Sequence, residues 1–226
     1  EECRLKANFL TAPHEEFELV ETILWDGGYF LLEKHLKRLE KSSKYFDYIA
    51  DMSSIASALE RESIKFEKGK KYKVRLRVNK QGHIYIENSL LEEDAGDSNV
   101  VMISNIRTNP DDVFLYHKTT KRHLYDKAYR DALSRGFKEA IFMNEKGQIT
   151  EGAISNIFIK KDGIYFTPPV GCGLLNGVYR QYLLENSPDA KEKILYLEDL
   201  TVADSIFICN SVRGMQEVKI WGYDKQ

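Results

Sequence analysis

Two short runs hold residue types that can do chemistry: Tyr116-His117-Lys118-Thr119-Thr120 and Thr150-Glu151-Gly152-Ala153-Ile154-Ser155-Asn156. A lysine amine can form a Schiff base with a carbonyl, and a carboxylate can hold a cationic nitrogen in place. Lys118 stands just ahead of an amphipathic stretch, and Glu151 falls in a turn between two apolar runs. Taken singly, each has a plain reading, because a lysine before a helix is usually solvated and a glutamate in a turn usually faces water. A third run, Gly171-Cys172-Gly173-Leu174-Leu175-Asn176-Gly177, is glycine-rich and opens a helix near Val178. It is not G-x-G-x-x-G, so a dinucleotide fingerprint is not supported. A glycine turn at a helix start is either a phosphate seat or an ordinary helix beginning, and the residues leave the two level. Other constellations drop out: His14, His35, His83, His117 and His123 lack metal-ligand spacing, and there is no G-x-S-x-G elbow or P-loop. No metal site is expected.

The elements that must position these groups follow from periodicity. Residues 17–25 alternate as a strand, and Asp26-Gly27-Gly28 turns the chain into a second strand over 29–33. Residues 34–48 form a helix with Leu36, Leu39, Tyr45 and Phe46 inward, and Arg38 lies off that stripe as a surface arginine would. A second helix covers 51–66, and strands 72–78 and 83–87 make a hairpin across Asn79-Lys80-Gln81-Gly82. Residues 90–98 are an acidic surface loop, and 100–106 are another strand. The polar, proline-bearing segment 107–112 is the candidate linker, dividing a small domain (1–106) from a larger one (113–226). A helix over 121–135 has Leu124, Ala128 and Leu133 as its buried side. Strands follow at 140–143, 148–150, 156–160, 163–167, 193–197, 205–209 and 217–221, with a helical turn at 198–203.

At 226 residues and 42% hydrophobic, the chain can bury one good core or two small ones. A net charge of −2, with acids and bases interspersed, offers no footprint for nucleic acid or for an anionic membrane. No apolar run approaches the roughly 20 residues of a spanning helix. Three scattered cysteines without a C-x-x-C pair suit a reducing cytoplasm better than a disulfide framework.

Several ordered motifs carry a resemblance. They are Phe17-Glu18-Leu19-Val20-Glu21-Thr22, Tyr29-Phe30-Leu31-Leu32-Glu33, His35-Leu36-Lys37-Arg38-Leu39, His117-Lys118-Thr119-Thr120, Thr150-Glu151-Gly152, Thr167-Pro168-Pro169 and Cys209-Asn210-Ser211-Val212-Arg213-Gly214. From about Phe17 to the C-terminus the chain resembles the class IV aminotransferase fold family of pyridoxal 5'-phosphate enzymes. Within it, the chain is most similar to aminodeoxychorismate lyases, especially the form fused behind aminodeoxychorismate synthase.

The resemblance implies an α+β protein of two domains, a small α/β sandwich and a larger barrel-like domain, with the cofactor between them. It implies Lys118 as cofactor tether and base, and Glu151 at the ring nitrogen. Arg38, the backbone of Gly177 and Val178, and Ser211 with Val212 would hold the phosphate. Thr22 matches a threonine proposed to deliver a proton to the leaving group. Arg122 and Arg213 are candidates for the substrate's carboxylates by charge and placement only. Family members usually have proline where this chain has Asn176, a departure that touches loop rigidity more than backbone contacts. The implied reaction converts the small-molecule substrate 4-amino-4-deoxychorismate to 4-aminobenzoate and pyruvate, a step toward folate. The alternatives are a D-amino acid or branched-chain aminotransferase of the same fold, and a catalytically silent binding domain. A homodimer is the family precedent. Residues 1–10 are similar to the tail of the synthase domain in fused enzymes, which favours a former fusion partner upstream.

Overall fold

The structure, a computed structural model, describes residues 16–92 and 99–222. The synthase-like segment 1–10, Cys3 and most of the acidic loop lie outside the described residues. Two sheets organise the chain. Strands β1 (Leu19–Trp25), β2 (Tyr72–Val78) and β3 (Ile84–Leu90) pair antiparallel in the order β1-β2-β3. Along β2, Tyr72, Val74, Leu76 and Val78 are buried while Lys73 and Arg75 are exposed. That two-residue period leaves one apolar face to be covered. Helices α1 (Leu32–Phe46) and α2 (Met52–Ser63) contribute Leu39, Ile55 and Leu59 to the core on that face. The Asp51 side chain accepts from the N–H groups of Ser53 and Ser54, which fixes the start of α2.

The second sheet holds β4 (Val100–Thr108), β5 (Ala140–Asn144), β6 (Ile149–Gly152), β7 (Asn156–Lys161), β8 (Ile164–Thr167), β9 (Ala190–Glu192), β10 (Ser205–Asn210) and β11 (Gly214–Ile220). Their order is β10-β11-β4-β5-β6-β7-β8-β9, and pairing of β10 with β7 closes the run from β10 to β7 into a barrel. Val101, Ile141, Ile149, Ile157, Ile208 and Val218 belong to one apolar cluster of its strands. Against another group of barrel residues, Met102, Ala140 and Phe142, helix α3 (His123–Ser134) lays Tyr125, Ala128 and Ala132. Two further helices are α4 (Val178–Asn186) and the short α5 (Leu197–Thr201).

Several expectations are corrected. The domain boundary at 106/107 is misplaced, because β4 pairs in parallel with β11 and β5 and so belongs to the barrel. Arg107 and Thr108 continue that pairing, opposite Met143 and Asn144, so only 109–112 form a connecting turn. The expected strand 29–33 reduces to one bridge, Trp25 with Tyr29. Leu31 takes a left-handed φ of 54° and α1 starts at Leu32. Tyr45, expected inward, is exposed, and the buried line of α1 is His35, Leu39, Ser42 and Ser43. Leu124 and Leu133 are exposed as well. Small Ala128 and Ala132 let α3 approach the barrel, and that contact overrides the leucine pattern. The strand expected at 193–197 lies earlier, as β9.

The two sheets meet where it matters. The outer edge of β1 is taken by the segment around Lys118: Leu19 bridges Thr119, the Val20 N–H donates to Lys118 O at 2.9 Å, and the Thr120 N–H donates to Glu18 O at 2.9 Å. An edge strand presents unpaired backbone groups. Here they clamp the lysine segment against the small sheet.

Candidate active site

Lys118 is partly buried between β1 and α3. Loss of water, reinforced by the charges of Arg122 and Arg38, pushes its amine down from the ordinary 10.5 to about 7; Glu21 and Glu151 pull the other way. About half of such amines are neutral at neutral pH, against fewer than about one in a thousand for a solvated lysine. The neutral form is the nucleophile and the base. Its neighbour His117 is fixed through Nδ1 to the Ser42 hydroxyl at 2.9 Å, with the Tyr45 ring 4.6 Å away. The backbone on both sides of Lys118 is thus held before any ligand arrives.

Glu151 lies within β6, paired with Asn156, rather than in a turn, and it is 7% exposed. Burial pushes its carboxyl up to about 8, against the Leu175 N–H, the Tyr125 hydroxyl and the charges of Arg122 and Lys118. Tyr125 donates to Oε1 at 3.2 Å, Leu175 N–H to Oε1 at 3.1 Å, and Asn156 Nδ2 to Oε2 at 3.4 Å. Behind it, the buried Glu139 carboxylate accepts from the N–H groups of Ile154 and Ser155 and from the Ser155 hydroxyl. A side chain at Gly152 would fall 2.3 Å from Glu139 Oε1, so glycine is required for this turn to close on that carboxylate.

A third group of residues faces the start of α4. Gly177 is its N-cap and no side chain caps it, which leaves first-turn N–H groups without helical acceptors. A Cβ at Gly177 would lie 1.9 Å from Asn156 Oδ1, and the same Asn156 donates to Leu175 O at 2.9 Å. Asn156 therefore joins Glu151 to the loop that carries the helix start. Arg38 brings Nη1 to 3.5 Å from Asn176 O, beside Gly177, and its side chain is only 11% exposed. Ser211 donates its hydroxyl to Thr22 O at 3.2 Å, tying the 211–214 turn to β1. The Val212 N–H donates to Asn210 Oδ1 at 3.0 Å, so both donors expected from this turn are engaged within the protein.

The remaining sequence candidates separate. Thr22 is partly buried, on the face of β1 opposite Glu21 by the two-residue period. Arg122 donates Nε to Asp126 Oδ1 at 2.8 Å and Nη2 to Ala153 O, and its charge reaches both Lys118 and Glu151. Arg213 is exposed at the tip of its turn. Five residues given no role from sequence take part: Glu21, His35, Tyr125, Glu139 and Asn156. Glu21 had left a signal, being a carboxylate in the inward row Leu19, Glu21, Ile23.

The donor set fits a phosphorylated aromatic aldehyde with a basic ring nitrogen. An amine with a depressed pKa, a buried carboxyl, a guanidinium and an uncapped helix start each match one part of pyridoxal 5'-phosphate. Known proteins give the same direction. Residues 18–221 match the family model described as amino-transferase class IV. An aminodeoxychorismate lyase of Bacillus subtilis is 28% identical over 214 residues, covering 84% of this chain and 72% of that one. A Schizosaccharomyces pombe protein, provisionally named aminodeoxychorismate lyase, is 27% identical over 207 residues, covering 88% and 87%. A crystal structure from Mesorhizobium loti, provisionally named an amino-acid aminotransferase, superposes with a TM-score of 0.84 at 32% identity, covering 90% of this chain and 99% of that one.

Proposed function

The chain belongs to the class IV amino-transferase family, whose cofactor is pyridoxal 5'-phosphate, and from that premise we propose that it is an aminodeoxychorismate lyase. It would convert 4-amino-4-deoxychorismate to 4-aminobenzoate and pyruvate. When bound, the cofactor supplies a carbonyl carbon for amines and a ring that accepts electrons. Lys118 would tether it and, when free of it, would serve as a base toward the substrate's amine-bearing carbon. An amine at about 7 is suited both to leave and to take that carbon's proton. Glu151 would hold a proton at the ring nitrogen, and its three donors keep the carboxyl from turning away. Arg38, the start of α4 and Ser211 would bind the phosphate in ground and transition states alike, which would set affinity more than rate.

Once the proton has left, the neighbouring carbon–oxygen bond breaks, the enolpyruvyl group departs to become pyruvate, and the six-membered ring becomes aromatic. Thr22, tied through its carbonyl to Ser211, is assigned proton delivery to the departing oxygen. Arg122 is assigned a substrate carboxylate; Arg213 takes the second such role by charge alone. The working unit in this reading is a homodimer.

The observation that carries the reading is a partly buried Lys118 near a buried Glu151 held by three donors, in a chain whose lyase-named relatives match over most of their length. The Mesorhizobium loti protein, at 32% identity, favours a second reading as an amino-acid aminotransferase on the same groups. One assay separates them. With aminodeoxychorismate and no 2-oxo acid, 4-aminobenzoate and pyruvate should appear in equal amounts. D-alanine or leucine with 2-oxoglutarate should turn over far more slowly. Dominant amino-acid turnover with no aromatic product replaces the lyase by the aminotransferase.

A further inference from the structure

We infer that Glu21, held by His35, is a positioning residue that aims Arg38 at the phosphate seat at the start of α4; this rests on the reading of Arg38 as a phosphate ligand. Glu21 points inward from β1 between Leu19 and Ile23 and is 1% exposed. A carboxylate there is costly unless it is fully paired. His35 and Arg38, one turn apart on α1, pair it completely: His35 Nδ1 lies 2.6 Å from Oε2, and Arg38 donates Nε to Oε1 at 2.8 Å and Nη2 to Oε2 at 2.6 Å. The fork thus spends its Nε/Nη2 edge on Glu21. Nη1 is left turned toward Asn176 O, next to the N-cap of α4.

His35 shows that the arrangement is directed at Glu21. The ring is fully buried, and its Nε2 has no hydrogen-bond partner among the described residues. Burial holds the ring neutral despite the pull of Glu21, so its single proton belongs on Nδ1, donated to the carboxylate. A leucine at 35 would fill the core without a stranded nitrogen. The one thing histidine adds is the hydrogen bond to Glu21. With both carboxylate oxygens occupied, the guanidinium is fixed before a ligand binds, and phosphate affinity gains from that preorganisation.

The test compares pyridoxal phosphate with pyridoxal, which lacks the phosphate, by titrating the full chain freed of cofactor. Arg38→Ala and Glu21→Gln should each weaken pyridoxal phosphate binding by roughly 10- to 100-fold. Both should weaken pyridoxal far less, because it lacks the phosphate that Arg38 would hold, and what they share for the two ligands is their charge on Lys118. The double variant should bind no more weakly than Arg38→Ala alone, since Glu21 acts through Arg38. His35→Asn, whose amide can donate where Nδ1 does, should keep affinity near wild type, and His35→Leu should behave like Glu21→Gln. That pair carries the test should Glu21→Gln fail to fold. Equal losses for the two ligands would make Glu21 merely structural and overturn the inference, as would additive losses. Tighter phosphate binding in Glu21→Gln would also overturn it, because the carboxylate would then only be neutralising Arg38. If Arg38→Ala leaves the ratio of the two affinities unchanged, the phosphate reading of Arg38 falls first and the inference with it.

Discussion

Glu21 and Glu151 are both buried carboxylates with Arg and Lys nearby, yet they sit at opposite ends of the titration scale. For Glu21 burial also raises the pKa, but the charge of Arg38 and the donated hydrogen bonds outweigh it and hold the group at about 2. For Glu151 burial wins, because its donors are two neutral side chains and one backbone N–H, and it rises to about 8. Two carboxylates separated in this way have separate tasks. One is a permanent charge that holds an arginine in place. The other gives or keeps a proton within the working pH range, facing a lysine brought down to about 7. Around Arg38 the buried carboxylate is closed in ion pairs, and around Lys118 the buried carboxyl has only neutral donors.

The largest effect that would test this division is at the chemical end. Lys118→Ala should lower turnover by about 10⁴-fold or more, since tether and base are lost together. Retained turnover, assayed with saturating cofactor, would remove Lys118 from the mechanism. Glu151→Gln should bind cofactor yet slow proton abstraction by roughly 10²- to 10³-fold, the range for losing one buried electrostatic partner. Single-turnover rates equal to wild type would show that the carboxyl has no part in it.

The two carboxylates should also oppose each other in stability. The folded chain prefers Glu151 protonated, so stability should fall as pH rises from 4.5 through about 8. Glu21 is the reverse: its contribution is complete above 4.5 and lost as pH falls toward about 2. Melting of the cofactor-free protein should therefore decline less steeply with rising pH in Glu151→Gln, by roughly several degrees, the remainder coming from the buried Glu139, which burial also pushes up. It should keep that decline in Glu21→Gln. Identical profiles for the two variants would abolish the distinction. The smallest change is Tyr125→Phe, which removes one donor from Glu151 and leaves the charge at the ring nitrogen intact. It should cost less than about tenfold in turnover, in line with one hydrogen bond of roughly 1 kcal/mol. A loss as large as that of Glu151→Gln would make Tyr125 a direct participant.

How much of this was legible in the sequence follows the range of the interactions. Helices with a cap or a clear period, such as α2 behind Asp51 and α4 behind Gly177, were readable because the signals are local. The motifs around Lys118, Glu151 and Arg38 were readable as words, and the structure gathers them between the two sheets. Membership of β4 in the barrel was not, since it depends on parallel pairing with β5 and β11 that no local pattern records. The buried face of α3 was misread for a related reason: close packing selected Ala128 and Ala132 over Leu124 and Leu133. Glu21 and His35 stood inside recognisable words, but their joint role appears only when α1 lies across β1.

The Lys118 amine, and no other, should hold the cofactor. Borohydride reduction of the protein loaded with pyridoxal phosphate, followed by peptide mass mapping, is the measurement. Colour should be lost, with the cofactor's mass fixed to the peptide containing Lys118, and Lys118→Ala should carry no such label. A stoichiometric label on any other lysine would contradict it.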